Sequence, residues 1–529
     1  MFYSILFPSP EHIALTESPP QYFADTNLDQ LVFHIATVKK AHKLAPHFCT
    51  PLSDLRTIEY RQQVLRELED GSLRELYGEL SDAVCEIEAA MEKAGGDLTS
   101  FANANLDGSP RYKYFALGQF LNCASNYCAT IEKLTASVAA AEFRSEGLRA
   151  FAEYLAGYAA SEEFAKLRSQ AAELRGKLKS VRYNMLLENT QSGMKAASAR
   201  VRRYDGEESY SDSLLALFRK FRQSDGEPYK RVLPETPVSV ANEHALLGLV
   251  AKTHPEVFVK LRSFCMANLS YLDETIGRFA HEIQFYIGWH EYTAAVRAAG
   301  LPLCYPTLIT GAGDVRLRGM FDVVLAAKQR GTGIIPNDFE LVAPERIAVI
   351  TGPNQGGKTT LSRAFGQAHY LASLGLSVPG TEARLFLCDK ILTHFGKQED
   401  LEMLSGQLQD DLIRLKSLFD SATPRSIIII NEIFASTTLF DALAIGRLVM
   451  DKLTKLGAPA LMITFLDELA DYGENTISVA GVVDAESPER RTYRFERKRP
   501  ESLAYAGHIM RKYNLTPELM DGRLQKCKS

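Results

Sequence analysis

The sequence predicts a multidomain protein in which a long α-helical part precedes an α/β domain. With 529 residues, the chain exceeds what one hydrophobic core usually organises, so we expect several domains. Residues 1–304 carry apolar side chains mainly at helical spacing, whereas residues 305–529 contain short apolar runs separated by helical stretches. The second pattern is typical of a mostly parallel sheet with helices on its faces.

The helical part divides into two segments. Its first pattern begins at Leu28, includes Leu65 and Leu68, and is interrupted by the stretch GGDLTS. Further long helical patterns follow, with almost no proline or glycine in their interiors, until the pattern loosens beyond Val181. We therefore predict a helical domain over residues 1–190, a second helical segment over residues 191–304 and an α/β domain over residues 305–529.

Composition and charge exclude several classes of protein. Hydrophobic residues make up 46% of the chain and charged residues 24%, which are ordinary values for a folded globular protein. The net charge of −5 means that any surface for nucleic acid must be a local basic patch. No run of 18 apolar residues is present, and the opening MFYSILFPSPEH lacks the basic stretch of an export signal. The eight cysteines show neither CxxC pairs nor metal-ligand spacing, so we expect a cytoplasmic protein with reduced thiols and no membrane contact.

A glycine-rich stretch in the α/β domain has the pattern of a phosphate-binding loop, or P-loop. It satisfies G-x-x-x-x-G-K-[ST] with Gly352, Pro353, Asn354, Gln355, Gly356, Gly357, Lys358 and Thr359. Glycines let the backbone curl so that N–H groups face phosphate oxygens, and the positive end of the following helix attracts the anion. We expect Lys358 to reach the outer phosphates and Thr359 to hold Mg²⁺. The context also fits, because the apolar run IAVIT precedes the loop and a helical pattern follows it.

A second apolar strand ends in two polar residues that we expect beside this loop. In RSIIIINEIF, four isoleucines run into Asn431 and Glu432, which places both at the carboxyl end of a buried strand. We expect Glu432 to act as the general base that polarises the attacking water. Asn431 stands where an aspartate is usual; it keeps an oxygen ligand for the metal but loses the charge, so we expect lower Mg²⁺ affinity. In the simpler alternative, the two residues only begin a loop.

The order of these motifs resembles the ATPase domain of the MutS family of DNA mismatch-repair proteins, which belong to the ABC class of ATPases. TGPNQGGKTT is close to the family's TGPNMGGKST loop, and NEIFASTTLFDAL is similar to its D-E-hydrophobic and T-S-T-x-D-G-L stretch. IIPND, MITFLDELADYGE and ESLAYAGHIMRKYNLTPELMDGRLQ resemble further landmarks of the family. The resemblance implies an ABC-type ATPase domain with a carboxyl-terminal helical dimerisation segment. It adds Ile334, Asn337 and Thr360 to the expected nucleotide-binding residues.

Upstream, TPLSDLRTIEYRQQVLRELED is similar to the opening of the family's helical core. The resemblance thus implies a core domain over residues 1–190 and lever or clamp helices over residues 191–304. The family's amino-terminal mismatch-reading module, with its Phe-x-Glu wedge, has no recognisable counterpart in the sequence. We therefore expect a short MutS-related protein without mismatch discrimination by the usual wedge.

Several positions depart from the family pattern. Ile334 replaces the aromatic residue that stacks on adenine, so we expect weak base selectivity. The signature stretch is short and offers Glu402, or Ser405 in another alignment, where a serine is usual. Phe465 occupies the place of the family's switch histidine. Together with Asn431, these changes predict slow hydrolysis or altered timing of a nucleotide-gated clamp.

A basic window lies in the second helical segment. Residues 195–231 contain nine basic and six acidic side chains. A solvated charged face is the simpler interpretation, and contact with a phosphate backbone is the alternative. The resemblance places the DNA-facing tips of the levers in this window.

These features together predict an ATP-dependent DNA-binding protein of the MutS type, acting in mismatch repair or recombination. We expect a homodimer in which ATP, bound with Mg²⁺, closes two heads and shifts the helices around mismatched or branched double-stranded DNA. The alternative is a nucleotide-sensing scaffold with weak or no hydrolysis that acts through protein partners. A P-loop kinase is disfavoured, because neither an arginine-rich lid nor an acceptor pocket is evident in the sequence.

Overall fold

The computed structural model divides the chain into two compact units. The helical unit comprises residues 75–142 and 150–280, and the sheet unit comprises residues 2–74, 143–149 and 281–529. The residues that the structure describes are 2–10, 14–103, 113–139, 141–188, 198–204, 240–311, 314–396, 407–432, 437–484 and 491–499. The predicted combination of a helical part with an α/β part is confirmed. The predicted domain boundaries stay predictions. The two compact units are divided at other residues, because residues 2–74 group with the sheet.

In the part of the chain that the structure describes, long helices and a β-hairpin build the helical unit. Its helices are Gly71–Asn103, Lys113–Ala139, Glu146–Ala159, Glu162–Ser180, Val240–Thr253, Pro255–Ala267 and Glu274–Glu282. The first and third of them begin in the sheet unit, and the last ends in it. The hairpin pairs β1 (Tyr183–Glu188) with β2 (Ser198–Arg203) in antiparallel register. Aromatic side chains fill the helical core: Phe151 stacks on Phe279, and Tyr77 meets both rings edge-on.

The sheet unit contains the remaining elements. Its helices are Tyr22–Thr26, Leu28–Val38, Ala45–Cys49, Leu55–Glu67, Gln284–Ala298, Val323–Lys328, Lys358–Ser373, Gln407–Ser421 and Leu439–Leu456, with 3₁₀ turns at Lys40–His42 and Asp467–Asp471. Its strands are β3 (Leu303–Cys304), β4 (Thr307–Ile309), β5 (Val315–Met320), β6 (Asn337–Leu341), β7 (Ile347–Thr351), β8 (Val378–Pro379), β9 (Glu382–Phe386), β10 (Ile391–Phe395), β11 (Ile427–Asn431), β12 (Ala460–Ile463), β13 (Thr476–Val483) and β14 (Arg491–Glu496). Among the described residues, no helix combines the length and apolar character needed to cross a membrane.

The main sheet has six strands in the order β10-β11-β12-β7-β13-β14. The first five run parallel, and β14 pairs antiparallel with β13. A smaller sheet has the order β4-β9-β5-β6, and β3 pairs with β8. The predicted strand before the glycine-rich loop is β7, and the predicted isoleucine strand is β11. Because parallel strands end at the same edge, this topology brings the ends of β7 and β11 to one side of the sheet.

Helices cover both faces of the main sheet, which explains the continuous apolar strands. Ile428 and Ile430 belong to a buried cluster with Leu415 and Met450, which lie on the helices Gln407–Ser421 and Leu439–Leu456. Ile429 points to the opposite face, where a Cβ at Gly366 of the helix Lys358–Ser373 would lie 3.1 Å from its Cδ1. Strands buried on both faces read as unbroken hydrophobic runs, as the four isoleucines do.

The amino-terminal segment is part of the sheet unit's core. Ile5 and Leu6 are fully buried. Tyr286 Oη donates to the Ile5 carbonyl at 2.9 Å, and Arg61 Nε donates to the Leu6 carbonyl at 3.0 Å. The backbone carbonyls of this segment are thus hydrogen-bonded to buried protein groups instead of water, and its apolar side chains pack in the core.

A row of polar contacts joins the helix Lys358–Ser373 to the amino-terminal helices. Gln367 Nε2 donates to the Thr26 carbonyl at 2.9 Å, and Tyr370 Oη donates to the Phe48 carbonyl at 2.7 Å. These residues recur on one face of the helix because three- and four-residue steps return to the same side. This face explains why residues 2–74 group with the sheet.

Candidate functional site

The glycine-rich loop (residues 352–359) lies between β7 and the helix Lys358–Ser373. Gly352 has a φ of 135° and Gly357 a φ of 92°, values that residues with a Cβ rarely adopt. A Cβ at Gly352 would lie 3.1 Å from the Gly481 nitrogen, and one at Gly357 would lie 3.3 Å from Tyr493 Cδ1. Glycine therefore gives the loop its curvature and lets β13 and β14 approach it closely.

Lys358 is folded back against its own loop. Its Nζ lies 3.1 Å from the Gly352 carbonyl and 3.3 Å from the Pro353 carbonyl, and its side chain is 3% exposed. Glu432 Oε1 lies 3.5 Å from the same Nζ. Burial lowers the pKa of Lys358, while the neighbouring Glu432 carboxylate opposes that shift. A buried cation of this kind favours an incoming anion, because the anion offsets the cost of desolvation.

The carboxyl end of β11 places Asn431 and Glu432 beside the loop. Thr359 Oγ1 donates to Asn431 Oδ1 at 3.4 Å. Glu432 follows with a φ of 50°, and its N–H donates to the Ile463 carbonyl at 3.0 Å. A left-handed backbone at a residue other than glycine is costly and occurs often at functional sites. With this bend, the Glu432 carboxylate lies 3.5 Å from Lys358 Nζ.

The oxygen atoms of Thr359 and Asn431 suit a hard divalent cation. Mg²⁺ prefers oxygen ligands and is usually held by few protein groups together with substrate phosphates. Both atoms are uncharged, and the Glu432 carboxylate is directed to Lys358. The residues present therefore fit a Mg²⁺ ion whose charge is balanced mainly by phosphate.

A cavity of about 300 Å³ adjoins the loop on the side of Ile334 and Ile335. It is lined largely by apolar residues from β5, the helix Val323–Lys328, the helix Lys358–Ser373 and β14. Its lining includes Thr360 and the half-exposed ring of Tyr493. A concave, mostly apolar space next to a phosphate-binding loop suits a nucleoside base.

Asn337 organises this cavity through β14. Its Nδ2 donates to the carbonyl of Tyr493 at 2.9 Å and to that of Ile335 at 3.2 Å. Its Oδ1 accepts the N–H of Phe495 at 2.8 Å. The amide thus replaces backbone pairing at an irregular strand, where Tyr493 has a φ of 55°.

Comparison with known proteins assigns both parts of the chain. The family model "MutS domain V" matches residues 348–508, and the model "MutS2 N-terminal domain" matches residues 53–299. The chain belongs to the MutS family.

Curated relatives of this MutS-family protein match less than half of the chain. A DNA mismatch repair protein MutS of Oleidesulfovibrio alaskensis is 34% identical over 167 residues, which are 31% of this chain and 18% of the relative. The protein of the same name from Lactococcus lactis subsp. cremoris is 28% identical over 220 residues, which are 41% of this chain and 26% of the relative. The matched stretch thus spans about a quarter or less of the length of these relatives.

In this MutS-family protein, the predicted site residues meet at two places. Lys358, Thr359, Asn431 and Glu432 gather at the sheet edge, while Ile334, Asn337 and Thr360 line the adjoining cavity. Their roles toward nucleotide and metal stay predictions. Glu402 and Ser405 of the signature stretch lie outside the described residues, as does the carboxyl-terminal segment beyond residue 499.

Two aromatic residues of β14 line the site without having been predicted from the sequence. Tyr493 and Phe495 both line the cavity and lie within 4 Å of a Cβ placed at Gly357. Their signal is the alternation in RTYRFE, where both rings fall on one strand face. That alternation indicates a strand, but nothing in it reveals that the strand passes over the loop.

Proposed function

We propose that this chain is an ATP-dependent DNA-binding protein of the MutS type, in which ATP binding and hydrolysis drive a conformational change of a dimeric clamp. The observation that carries the proposal is the junction of loop and strand end. Thr359 lies 3.4 Å from Asn431, and Lys358 lies 3.5 Å from Glu432. These distances support a site in which a lysine for phosphate, two oxygen ligands for a metal and a carboxylate act together.

Each residue then has a distinct task in hydrolysis. Lys358 turns from its loop carbonyls toward the outer phosphates of ATP and balances their charge. Glu432, released from the lysine, accepts a proton from the attacking water. Thr359 and Asn431 hold Mg²⁺, which when bound supplies charge stabilisation on the phosphate oxygens. Tyr493 offers a ring face to the base, in a position that compensates for the aliphatic Ile334.

The hairpin of the helical unit is the proposed contact with DNA. Arg202 and Arg203 lie on β2 and are exposed, and Arg203 Nη2 pairs with Glu256 at 2.9 Å. Exposed ion pairs contribute little to stability, so phosphate can replace Glu256 at small cost. Residues 195–197 and 205–231 of the basic window lie outside the described residues.

A second copy of this chain is the proposed partner at the nucleotide site. Leu439 and Phe440 begin the helix that follows β11, and they are 71% and 81% exposed. Large apolar side chains with such exposure gain free energy when another surface covers them. Closure of two heads over ATP gives these residues a partner.

A nucleotide-sensing scaffold is the second candidate. The close approach of Glu432 to Lys358 keeps the general base occupied. Asn431 contributes no charge to a metal site, and Phe465 offers no group that can bond to phosphate. These features favour binding of nucleotide over its hydrolysis.

Steady-state ATP hydrolysis separates the two functions. The full chain, Lys358→Ala and the exposed control Lys455→Ala are assayed alone and with linear, mismatched and branched duplexes at two salt concentrations. A rate that requires Lys358 and rises with one DNA form, less so at high salt, supports the clamp. Background turnover with tight nucleotide binding supports the scaffold. Two results together argue against the clamp. The chain stays monomeric in light scattering with and without ATP, and Glu432→Gln leaves the rate of ATP hydrolysis unchanged.

A further inference from the structure

Four groups surround the ammonium of Lys358. The carbonyls of Gly352 and Pro353 and the carboxylate of Glu432 match its three N–H donors. The fourth is the ring of Phe465, whose centroid lies 4.5 Å from Nζ. This distance is typical of a cation–π contact, in which the negative face of the ring attracts the cation.

Phe465 lies on the solvent side of this contact. Its side chain is 50% exposed, whereas the Lys358 side chain is 3% exposed. The residue follows β12 and precedes the turn Asp467–Asp471, and the Leu466 N–H donates to Thr464 Oγ1 at 3.0 Å. The ring therefore shields the lysine while remaining half in water itself.

We propose that Phe465 caps Lys358 in the nucleotide-free loop and is displaced by the γ-phosphate, so that it sets how strongly the site prefers a nucleoside triphosphate to a diphosphate. This inference rests on the proposed nucleotide-binding function. A diphosphate reaches the lysine through its β-phosphate but leaves the γ-position empty, so the ring keeps more of its contact. A triphosphate adds a γ-phosphate that competes with the ring and with Glu432 for the lysine. The cost of uncapping therefore falls mainly on the triphosphate.

Movement of the Phe465 ring can be transmitted to a neighbouring helix through the turn that follows it. The turn Asp467–Asp471 carries Leu469, which is fully buried. A Cβ at Gly446 of the helix Leu439–Leu456 would lie 2.8 Å from Leu469 Cδ1. The turn is thus closely packed against the helix that begins at Leu439, so a movement of Phe465 that shifts the turn also displaces that helix.

Equilibrium binding of two nucleotides tests the proposal. ADP and the β,γ-imido analogue of ATP are titrated into the full chain, Phe465→Leu, Phe465→Tyr and the control Phe33→Leu, whose ring is 73% exposed. We expect Phe465→Leu to bind the analogue about two- to fivefold more tightly, the size of an exposed cation–π contact, and to bind ADP with an affinity that rises by a smaller factor or stays unchanged. Phe465→Tyr keeps the ring face and should match the original chain, as should Phe33→Leu. The proposal is overturned if Phe465→Leu changes the affinities for both nucleotides equally or changes neither. Weaker binding of the analogue overturns it as well.

A second measurement needs no nucleotide. Trace acetylation followed by mass spectrometry compares the labelling rate of Lys358 with that of the exposed Lys455. We expect Phe465→Leu to raise the relative rate at least about threefold, because the cap is removed, and Phe33→Leu to leave it unchanged. Equal rates in the original chain and Phe465→Leu overturn the cap itself. If labelling responds but the original chain binds neither nucleotide, the proposed function fails, and the discrimination between nucleotides is overturned with it while the contact stands.

Discussion

The side-chain amide of Asn337 donates to the carbonyl of Tyr493 at 2.9 Å, across 156 positions of sequence. The same side chain accepts the Phe495 N–H at 2.8 Å. One amide thus fixes an irregular strand that places two rings over the glycine-rich loop. Its effect on a nucleotide is exerted through these rings.

Replacement of Asn337 should therefore weaken nucleotide binding without removing a direct contact. Asn337→Ala deletes the hydrogen bonds to β14, each of which contributes about 1 kcal/mol, so we expect roughly a tenfold loss of ADP affinity. Asn337→Asp keeps an acceptor for Phe495 but sets an oxygen against the Tyr493 carbonyl, so we expect an equal or larger loss. Titration calorimetry with ADP measures both. If both variants bind ADP as tightly as the original chain, the side chain of Asn337 is not needed to hold β14 in place.

Glu432→Gln should separate hydrolysis from binding. The amide cannot accept the proton of the attacking water, so we expect single-turnover hydrolysis to fall by about 10² or more. ATP binding should persist or tighten, because Lys358 loses a competing carboxylate at 3.5 Å. Glu474→Gln, at an exposed position of the sheet unit, is the matched control. Retained turnover in Glu432→Gln would assign the general base to another residue.

Sequence patterns were sufficient to predict the parts of the site that are contiguous in the chain. Strand β7, the glycine-rich loop and the helix beginning at Lys358 are contiguous, and the isoleucine run fixes where β11 ends. The parallel topology then brings Asn431 to Thr359, although 72 positions separate them. These relations follow from strand ends meeting at one edge of a sheet.

Other relations depend on contacts that no local pattern encodes. The buried carbonyls of Ile5 and Leu6 accept hydrogen bonds from a hydroxyl and a guanidinium that lie far along the chain. Tyr493 reaches the loop only because an edge strand runs antiparallel to β13 with an irregular register. Phe465 was recognisable as a departure, but its contact with Lys358 depends on the turn that follows β12. Tertiary packing decides such placements.

Asn431→Asp should increase the affinity for Mg²⁺. The new carboxylate would stand beside Thr359 Oγ1, where the present amide oxygen lies at 3.4 Å, and would add a negative charge to a neutral pair of ligands. We expect the Mg²⁺ concentration for half-maximal ATP binding to fall about tenfold, equivalent to about 1.4 kcal/mol. Magnesium titration at fixed ATP measures this. An unchanged or higher requirement would place the metal away from Asn431.

Arg61 should be a strong determinant of stability in the sheet unit. Its guanidinium donates to the Leu6 carbonyl at 3.0 Å and to the Leu374 carbonyl at 3.2 Å, and lies between the rings of Phe7 and Phe285. Arg61→Met leaves both buried carbonyls without this donor, so we expect a loss of about 2–5 kcal/mol.

The single tryptophan reports on this loss directly. Trp289 is fully buried in the sheet unit and donates to Ser377 Oγ at 3.0 Å, so its fluorescence follows unfolding of that unit in urea. Arg56→Met alters an exposed arginine on the same helix and should cost less than about 0.5 kcal/mol. Similar midpoints for the two variants would contradict the assigned role of Arg61.

Four histidines should make the sheet unit sensitive to acid. Burial lowers the pKa of His47, His290, His369 and His394 to about 4, and nearby arginines add to the effect at all of them except His369. In the unfolded chain each histidine titrates near 6.5. The unfolded state therefore binds more protons between these values, so the stability contribution is complete above about pH 6.5 and is lost progressively as the pH falls to 4. Each group contributes on the order of 1–3 kcal/mol.

The pH dependence of urea unfolding, followed by Trp289 fluorescence, counts these protons. We expect up to four protons to be taken up on unfolding between about pH 4 and 6.5, beyond those taken up by carboxylates. His369→Gln removes one titrating group and should lower the uptake by about one proton, whatever its effect on the midpoint. His34→Gln, at an exposed position, is the control. If His369→Gln leaves the uptake unchanged, His369 is already protonated in the folded chain within this range, and its burial does not exclude the charge.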